Sequence, residues 1–323
     1  MARQDMLQRL QRYNKRQPEP RWGPDYQAAI RATPSEAPSI SRATILRPEL
    51  LGGREMHLLS TPEKEAALLA LYHPDVWDIH EQKVLSTVPT THPLFGHPLV
   101  DSPSLRSILG TVNVAHRLGA LNEHPKVLVF NKQAKENEWV PLPFVGDLLL
   151  YLRDDCGCYC VNWTVKLTED DFGRRGPRPL GRVRSISPDP RAEIRHRIEV
   201  DYYLDARIRT VLVTRAKIDG ELASNLGSIF GWHARQPEMD SLTISQMLDW
   251  YRDNFSERGT AHELIVRAAN TFRTSPYQAK IVLYRGVWKR QLLVDLYTPF
   301  LIDRPLRPMQ ADPVSIYKPW FER

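Results

Sequence analysis

FVGDLLLYLRDDCGCYCVNWTVKL, residues 144–167, consists of two apolar runs separated by a polar turn. The first run, residues 144–152, and the second, residues 158–167, each have the length and the apolar character of a β-strand. The segment RDDCG between them contains the aspartates and the glycine that tight turns favour. The stretch therefore predicts an antiparallel β-hairpin.

This hairpin carries a carboxylate and a lysine that suit metal-dependent hydrolysis. Asp147 lies inside the first apolar strand, where a carboxylate needs a compensating partner. Lys166 ends the second strand, and alternation places Asn162, Thr164 and Lys166 on one face. A metal-dependent nuclease needs a carboxylate to hold Mg²⁺ and a lysine beside the attacking water. A plain buried salt bridge is the alternative interpretation of Asp147 and Lys166.

The segments around the hairpin predict an α/β layer. HLLSTPEKEAALLALY, residues 57–72, predicts a helix with Ser60 as its N-cap, and VWDIHEQ, residues 76–82, predicts a strand. A short helix is expected near residues 105–118. After the hairpin, Ser187 and Pro188 are expected to start a helix, and RTVLVTR, residues 209–215, a buried strand. This order favours helices that cover a mixed sheet.

Two glutamates of the first helix are candidates for a third catalytic group. Ser60 and Glu63 have the spacing of a capping box, in which the glutamate only bonds the helix start. Glu63 also shares a helix face with small alanines that let another element approach closely. The face of Glu65 is apolar as well, so periodicity leaves both glutamates open.

From about Asp240 the pattern changes to three helices, expected in residues 243–255, 260–272 and 275–287. Thr260 and Glu263 fit a capping box, and Ser275 with Pro276 fits a helix start. KRQLLVDLY, residues 289–297, predicts a small hairpin after them, which gives the outline of a winged-helix domain. The predicted domains are a basic N-terminal arm (1–50), a catalytic domain (51–238), a winged-helix-like domain (239–308) and a tail (309–323).

The composition of the chain favours a phosphate-bearing partner such as a nucleic acid over a membrane. The chain has 323 residues, a net charge of +6 and a pI near 9.2, and arginine-rich excess charge suits phosphates. Its apolar stretches fall short of the ~20 residues that a membrane helix needs, so we expect a soluble intracellular protein without a membrane partner. Cys156, Cys158 and Cys160 alternate along a strand roughly 6.5–7 Å apart, which favours three reduced thiols over a disulfide or a zinc site.

In combination these segments resemble the TnsA endonuclease family. HLLSTPEKEAALLALYHPDVWDIHEQ is similar to that family's helix with the catalytic glutamate and the V-x-DI-x-EQ strand after it. FVGDLLLYL and VNWTVK resemble its catalytic Asp strand and its Gln-x-Lys strand, in the same order. The resemblance covers roughly residues 20–305. It implies a restriction-endonuclease-like α/β fold with the PD-(D/E)XK arrangement, in which helices flank a mixed sheet, followed by an α-helical winged-helix-like C-terminal domain.

The resemblance assigns roles position by position. Glu63, Asp147 and Lys166 match the catalytic residues, and the implied cofactor is Mg²⁺, with Mn²⁺ as a substitute. Thr164 stands where the family has a glutamine ligand, so we expect one metal site to depend more on the Val165 carbonyl. A metal titration of cleavage by wild type and Thr164→Gln tests this expectation. Implied metal ligands are therefore Glu63, Asp147, Val165 and Thr164.

Further polar residues are candidates for accessory roles. Glu81 and Gln82 end a strand, where either substrate contact or plain solvation is open. Glu199 lies on the helix after the hairpin, where a surface salt bridge is the alternative. An arginine-dense loop, either solvated or bound to DNA phosphates, contains Arg174, Arg175, Arg178, Arg182 and Arg184. Cations of the C-terminal region that are candidates for facing DNA are Arg267, Arg273, Lys280, Arg285, Lys289 and Arg290.

The resemblance implies an endonuclease subunit of a heteromeric transposase that cuts the 5′, non-transferred strand at transposon ends. Its implied partners are double-stranded DNA, a TnsB-type DDE transposase and a TnsC-type AAA+ ATPase. Its implied location is the bacterial cytoplasm, at the nucleoid when assembled. Two alternatives stay open: a non-catalytic DNA-binding or scaffolding subunit with a nuclease fold, and a stand-alone restriction-type nuclease. The aromatic tail, with Tyr317 and Phe321, is expected to be a free peptide that docks on a partner.

Overall fold

The computed structural model describes residues 2–38, 42–100, 105–131, 133–173, 189–255 and 259–323. The chain divides into two compact units. The first unit contains Met1–Lys64, Asp75–Ala216 and Glu322–Arg323, and the second contains Glu65–Pro74 and Lys217–Phe321.

The strands are β1 (Thr44–Leu46), β2 (Met56–Leu58), β3 (Val76–Val84), β4 (Lys126–Asn131), β5 (Glu136–Pro141), β6 (Val145–Asp154), β7 (Gly157–Lys166) and β8 (Arg209–Thr214). The α-helices are α1 (Ala2–Arg16), α2 (Thr61–Tyr72), α3 (Thr111–Arg117), α4 (Pro190–Asp205), α5 (Gly220–Phe230), α6 (Ser241–Asn254), α7 (Ala261–Thr271), α8 (Pro276–Trp288), α9 (Pro313–Ile316) and α10 (Lys318–Phe321).

A four-stranded sheet in the order β3-β6-β7-β8 forms the centre of the first unit. β3 and β6 are antiparallel, as are β6 and β7, whereas β7 and β8 are parallel. The predicted hairpin is confirmed: its register pairs Leu148 with Trp163 and Asp154 with Gly157. A parallel pair requires a crossover connection, and α4 lies in the connection between β7 and β8. The predicted α/β layer with a mixed sheet is therefore confirmed.

The sheet is buried deeply around β6. Residues 148–152 of this strand have no exposed surface, which explains why its sequence is a continuous apolar run rather than an alternating one. Ile198, Tyr202 and Tyr203 of α4 belong to the same core cluster as Leu149 and Tyr151 of β6. Helix α4 thus covers the hairpin with its apolar face.

Helix α4 begins later than the sequence predicted. The predicted start, Ser187 and Pro188, lies outside the described residues. The observed N-cap is Asp189, whose side chain accepts a hydrogen bond from Arg191 N, and Pro190 stands in the first turn. The sequence offers two adjacent cap-proline pairs, and an aspartate cap adds a favourable charge at the helix N-terminus.

Residues of the N-terminal segment are part of the hydrophobic core, which corrects the prediction that residues 1–50 are a basic arm outside the core. Tyr13, Tyr26, Ala28 and Ala29 are all buried in the first unit. The Tyr26 ring stacks on His80 of β3 at a centroid distance of 3.8 Å. Two small antiparallel pairs, β1-β2 and β4-β5, were not predicted, because β1 and β2 have only three residues each and β5, the partner of β4, is largely exposed and lacks a continuous apolar run. The helix expected near residues 105–118 is shorter, as α3.

The second unit is helical, as predicted. The Thr260–Glu263 capping box of α7 and the Ser275 cap of α8 are confirmed. The hairpin expected after α8 is wrong: in the described residues the region holds only an isolated bridge between Val294 and Pro308. With only one bridge there, the strand propensity of residues 289–297 did not produce a ladder.

The C-terminal tail is folded onto its own chain, so the prediction of a free peptide is wrong. Tyr317 and Phe321 are 6% and 2% exposed. The Tyr317 hydroxyl accepts from Asp219 N at 2.9 Å and donates to the Lys217 carbonyl at 3.2 Å. These aromatic side chains already have intramolecular partners.

Two further findings concern the described part of the chain. None of its helices combines the length and the apolarity needed to cross a bilayer. Cys156, Cys158 and Cys160 are all free, and their exposure decreases from exposed to buried along the strand.

Candidate active site

Asp147 and Lys166 meet on neighbouring strands of the first unit. Lys166 Nζ lies 3.6 Å from Asp147 Oδ2, and the two side chains are 28% and 16% exposed. The same Oδ2 accepts a hydrogen bond from Val165 N at 2.7 Å. Both residues lie just beyond the last register pair of the hairpin, Leu148 with Trp163, at the end away from its turn. Solvent therefore reaches both ends of the ion pair.

Glu63 is the second acidic group of this site. It lies in the first turn of α2 and is 7% exposed. Burial and then the negative charge of Asp147 raise the pKa of Glu63 to about 7, against the opposing effects of nearby hydrogen bonds and of Lys166. Of the two glutamates that periodicity left open, Glu63 therefore interacts electrostatically with Asp147 of the hairpin. We call Glu63, Asp147 and Lys166 the carboxylate-lysine site.

Glu63 also caps its helix. Its carboxylate accepts from Leu59 N at 2.8 Å and from the Ser60 hydroxyl at 2.9 Å, while Ser60 Oγ accepts from Glu63 N. The backbone donor is the residue before Ser60 rather than Ser60 itself, so the motif is a variant of the capping box. The capping interpretation and the catalytic one thus describe the same side chain.

Gln82 fixes the other side of Glu63. Its amide donates to Glu63 Oε2 at 3.0 Å, and the residue is 3% exposed. Its φ of 50° is left-handed, which costs a non-glycine residue about 1–3 kcal/mol. The Gln82 carbonyl accepts from Ala29 N and from the Gln17 amide, both at 3.1 Å, and these bonds hold the strained backbone in place.

Glu81 has a structural position instead of a substrate contact. It has no exposed surface and forms a bidentate ion pair with Arg54, with both nitrogens 2.9 Å from a carboxylate oxygen. It also accepts from His57 N at 3.0 Å. The interpretation of Glu81 and Gln82 as a solvated strand end is wrong, because β3 continues to Val84 and both residues are buried.

Glu199 faces the sheet rather than forming a surface salt bridge. It is 3% exposed, and Oε1 accepts from Asn162 at 3.1 Å and from the Thr164 hydroxyl at 3.0 Å. Burial and then the charge of Asp147 raise the pKa of Glu199. The Thr164 hydroxyl therefore already donates its hydrogen bond to Glu199.

His196 is a neighbour of the site that the sequence did not indicate. It lies on α4, three residues before Glu199, and its ring meets Phe172 edge-on at 5.3 Å. Burial and then the positive charges of Lys166 and Arg195 lower its pKa to about 4. The imidazole is therefore neutral near pH 7. Its spacing to Glu199 on one helix was the available sequence signal.

The donor set suits a hard divalent cation. Glu63 and Asp147 offer carboxylate oxygens, and Mg²⁺ is commonly held by one or two carboxylates with water completing the shell. Within the described ranges, no group of three His, Cys, Asp or Glu side chains is placed to hold a metal. The mutual repulsion that raises the pKa of Glu63 is the interaction that a cation would relieve.

The arginine-dense loop cannot be placed. The described residues do not include its five arginines, Arg174, Arg175, Arg178, Arg182 and Arg184.

Comparisons with known families and curated proteins found no relative of this chain. No family model matches the chain, and no curated protein matches it significantly. The structure defines an α/β protein in which Asp147 and Lys166 form an ion pair and the charge of Asp147 adds to burial in raising the pKa of Glu63.

Proposed function

We propose that this chain is a Mg²⁺-dependent DNA endonuclease of the PD-(D/E)XK type, the nuclease subunit of a heteromeric transposase. The observation that carries the proposal is the carboxylate-lysine site: an Asp147–Lys166 contact of 3.6 Å, with Glu63 electrostatically coupled to it. These are the three residues that the TnsA resemblance names. They are remote in sequence and belong to three different elements.

Each side chain has a role in phosphodiester hydrolysis. Glu63 and Asp147 would hold Mg²⁺, which when bound lowers the pKa of water and neutralises phosphate charge. Lys166 donates to the attacking water and to the phosphate oxygens that gain charge. The water oxygen bonds to phosphorus and releases a proton to solvent, the P–O3′ bond breaks, and the leaving 3′ oxygen takes up a proton from solvent. The products are a 5′-phosphate and a 3′-hydroxyl.

The topology supports the nuclease proposal. A helix with the glutamate precedes an antiparallel three-strand ladder, and a crossover helix leads to a parallel fourth strand. Helices α6, α7 and α8 agree with a winged-helix-like region, although the expected hairpin is reduced to one bridge. The proposed partners are double-stranded transposon ends, a TnsB-type DDE transposase and a TnsC-type ATPase, at the bacterial nucleoid.

A non-catalytic DNA-binding or scaffolding subunit is the second candidate. It is favoured by the hydrogen bonds that Glu63 already accepts from Leu59, Ser60 and Gln82. The bond from the Thr164 hydroxyl to Glu199 also favours it, because a family ligand position is replaced by a structural donor. Loss of metal binding with retention of the fold would produce such a protein.

The test is cleavage of end-labelled DNA carrying the transposon ends, with Mg²⁺, with and without the TnsB-type partner. We expect cleavage of the 5′ strand by wild type, and loss in Glu63→Ala, Asp147→Ala and Lys166→Ala. Asp155→Asn is the matched control, since Asp155 is exposed in the turn at the other end of the same hairpin. Circular dichroism verifies that each variant is folded.

The outcomes separate the candidates. Cleavage that survives all three alanine substitutions would refute the carboxylate-lysine site. Absence of cleavage by wild type with every partner present, together with retained DNA binding, would favour the scaffolding subunit. Cleavage by the chain alone would favour a stand-alone nuclease.

A further inference from the structure

Cations of the second unit differ in how they are engaged. Arg290 forms a bidentate pair with Asp312 at 2.9 and 3.0 Å. Arg285 donates to the carbonyls of His233 and Arg235. Arg267 donates to Asn254 at 2.8 Å. These three candidates for DNA contact are already used inside the protein.

Lys280 and Arg235 differ from these three cations because both lie over the same aromatic ring, that of Trp232. Arg235 Cζ lies 4.4 Å and Lys280 Nζ 4.5 Å from the ring centroid of Trp232. Lys280 also lies over Tyr284, and Arg235 donates to the hydroxyl of Tyr277. In the described part of the chain, the contacts of both cations are with aromatic groups rather than carboxylates.

The surface is held in a fixed shape. Tyr277, Lys280 and Tyr284 share one face of α8, and the Trp232 ring lies 6.0 Å from Tyr277 and 5.2 Å from Tyr284. The two carbonyl contacts from Arg285 anchor the turn that carries Trp232 and Arg235. Two positive charges are therefore kept beside one indole, and within the described ranges neither of them forms an ion pair with a carboxylate that would offset their repulsion.

We propose that Trp232, Arg235, Tyr277 and Lys280, the Trp232 surface, bind the phosphate backbone of double-stranded DNA. Arg235 is exposed, Tyr277 is 50% exposed, and Lys280 is partly exposed, so a ligand reaches all three. Adjacent phosphates present the closely spaced negative charges that two neighbouring cations match. The choice of DNA rests on the proposed function, in which DNA is the substrate. An acidic protein segment is the competing ligand.

The test measures DNA affinity of the full chain by fluorescence anisotropy, in EDTA so that no cleavage occurs. The double variant Arg235→Gln/Lys280→Gln is compared with Arg304→Gln/Arg307→Gln, which removes the same charge from exposed arginines of the second unit. We expect the first variant to lose at least roughly tenfold affinity at 0.1 M salt, and its salt slope to fall by about 2. The control is expected to stay near wild type.

A swap variant, Arg235→Lys/Lys280→Arg, keeps both charges and should retain most of the affinity. Equal affinity and slope in the Gln variant and in the control would overturn the proposal. Loss of binding to poly-glutamate, with DNA binding unchanged, would overturn it in favour of an acidic protein partner. Because no metal is present, a failure of cleavage does not affect this result, and the two proposals fail separately.

Discussion

Two buried glutamates of the first unit stand in opposite electrostatic environments. Glu81 has Arg54 on both carboxylate oxygens and a backbone donor from His57. The hydrogen-bond donors that contact Glu63 in the described part of the chain are neutral, and the negative charge of Asp147 adds to the effect of burial in raising the pKa of Glu63. Burial raises the pKa of both carboxyl groups, but Arg54 opposes the rise at Glu81, whereas Asp147 adds to it at Glu63. A bound cation would relieve the repulsion at Glu63. This contrast separates a structural acid from a candidate catalytic one better than burial does, since both are buried.

The largest expected effect is on cleavage. Glu63→Gln keeps the shape of the side chain but removes its charge, so we expect cleavage to fall by roughly 10³-fold, as when a preorganised electrostatic group is lost. The measurement is the single-turnover rate of strand cleavage with Mg²⁺. If Glu81→Gln lowered the rate equally in folded protein, the contrast between the two glutamates would be lost.

The second prediction concerns stability. Arg54→Ala removes the ion-pair partner of a fully buried carboxyl group, which should lower the free energy of unfolding by about 3–5 kcal/mol. Urea unfolding measures this value. Arg47→Ala is the matched control, because the Arg47–Glu55 pair is exposed, with side chains 68% and 45% accessible, and should change stability by less than about 1 kcal/mol.

The third prediction is a pH dependence of stability. The pKa of Glu63 is about 7 in the folded protein and 4.5 ordinarily, so the folded state holds an extra proton between these values. Stability from this proton is present below the ordinary pKa and is lost as pH rises through 7. From pH 5 to 8, wild type should lose up to about 3 kcal/mol relative to Glu63→Gln.

Urea unfolding at several pH values, without divalent ions, measures this difference. Mg²⁺ should restore part of it at pH 8 in wild type but leave Glu63→Gln unchanged. Parallel pH profiles of the two proteins would show that Glu63 titrates normally.

The smallest expected effect concerns Gln82 as a positioning residue. Gln82→Ala keeps the left-handed backbone but removes the donor to Glu63 Oε2, so cleavage should fall roughly 10–100-fold. Losing a donor to the carboxylate also raises the pKa of Glu63, so the pH at which cleavage begins should shift upward. A lower rate with an unshifted pH profile would indicate a structural role only.

Particular elements show how far the sequence reaches. The hairpin, α2, β3 and α7 follow from apolar runs, turn residues and capping boxes, because each signal lies within about a dozen residues. The start of α4 was mispredicted because two adjacent cap-proline pairs compete there. The hairpin predicted after α8 was wrong because its strand-like segment forms only one bridge. The burial of Tyr26 has no local sequence signal, since its partners His80 and Glu81 lie far along the chain.

The sequence by itself determined that a carboxylate and a lysine share a hairpin, because strand alternation and turn chemistry are local. It also supplied Glu63, for which the local pattern favoured a capping role and the family resemblance a catalytic one. Only the tertiary structure decided that the charge of Asp147 raises the pKa of Glu63. It also decided that Glu81 forms an ion pair with Arg54 and that the Thr164 hydroxyl donates a hydrogen bond to Glu199. The physical reason is that charge interactions and desolvation depend on distances between elements, and a sequence pattern fixes distances only within them.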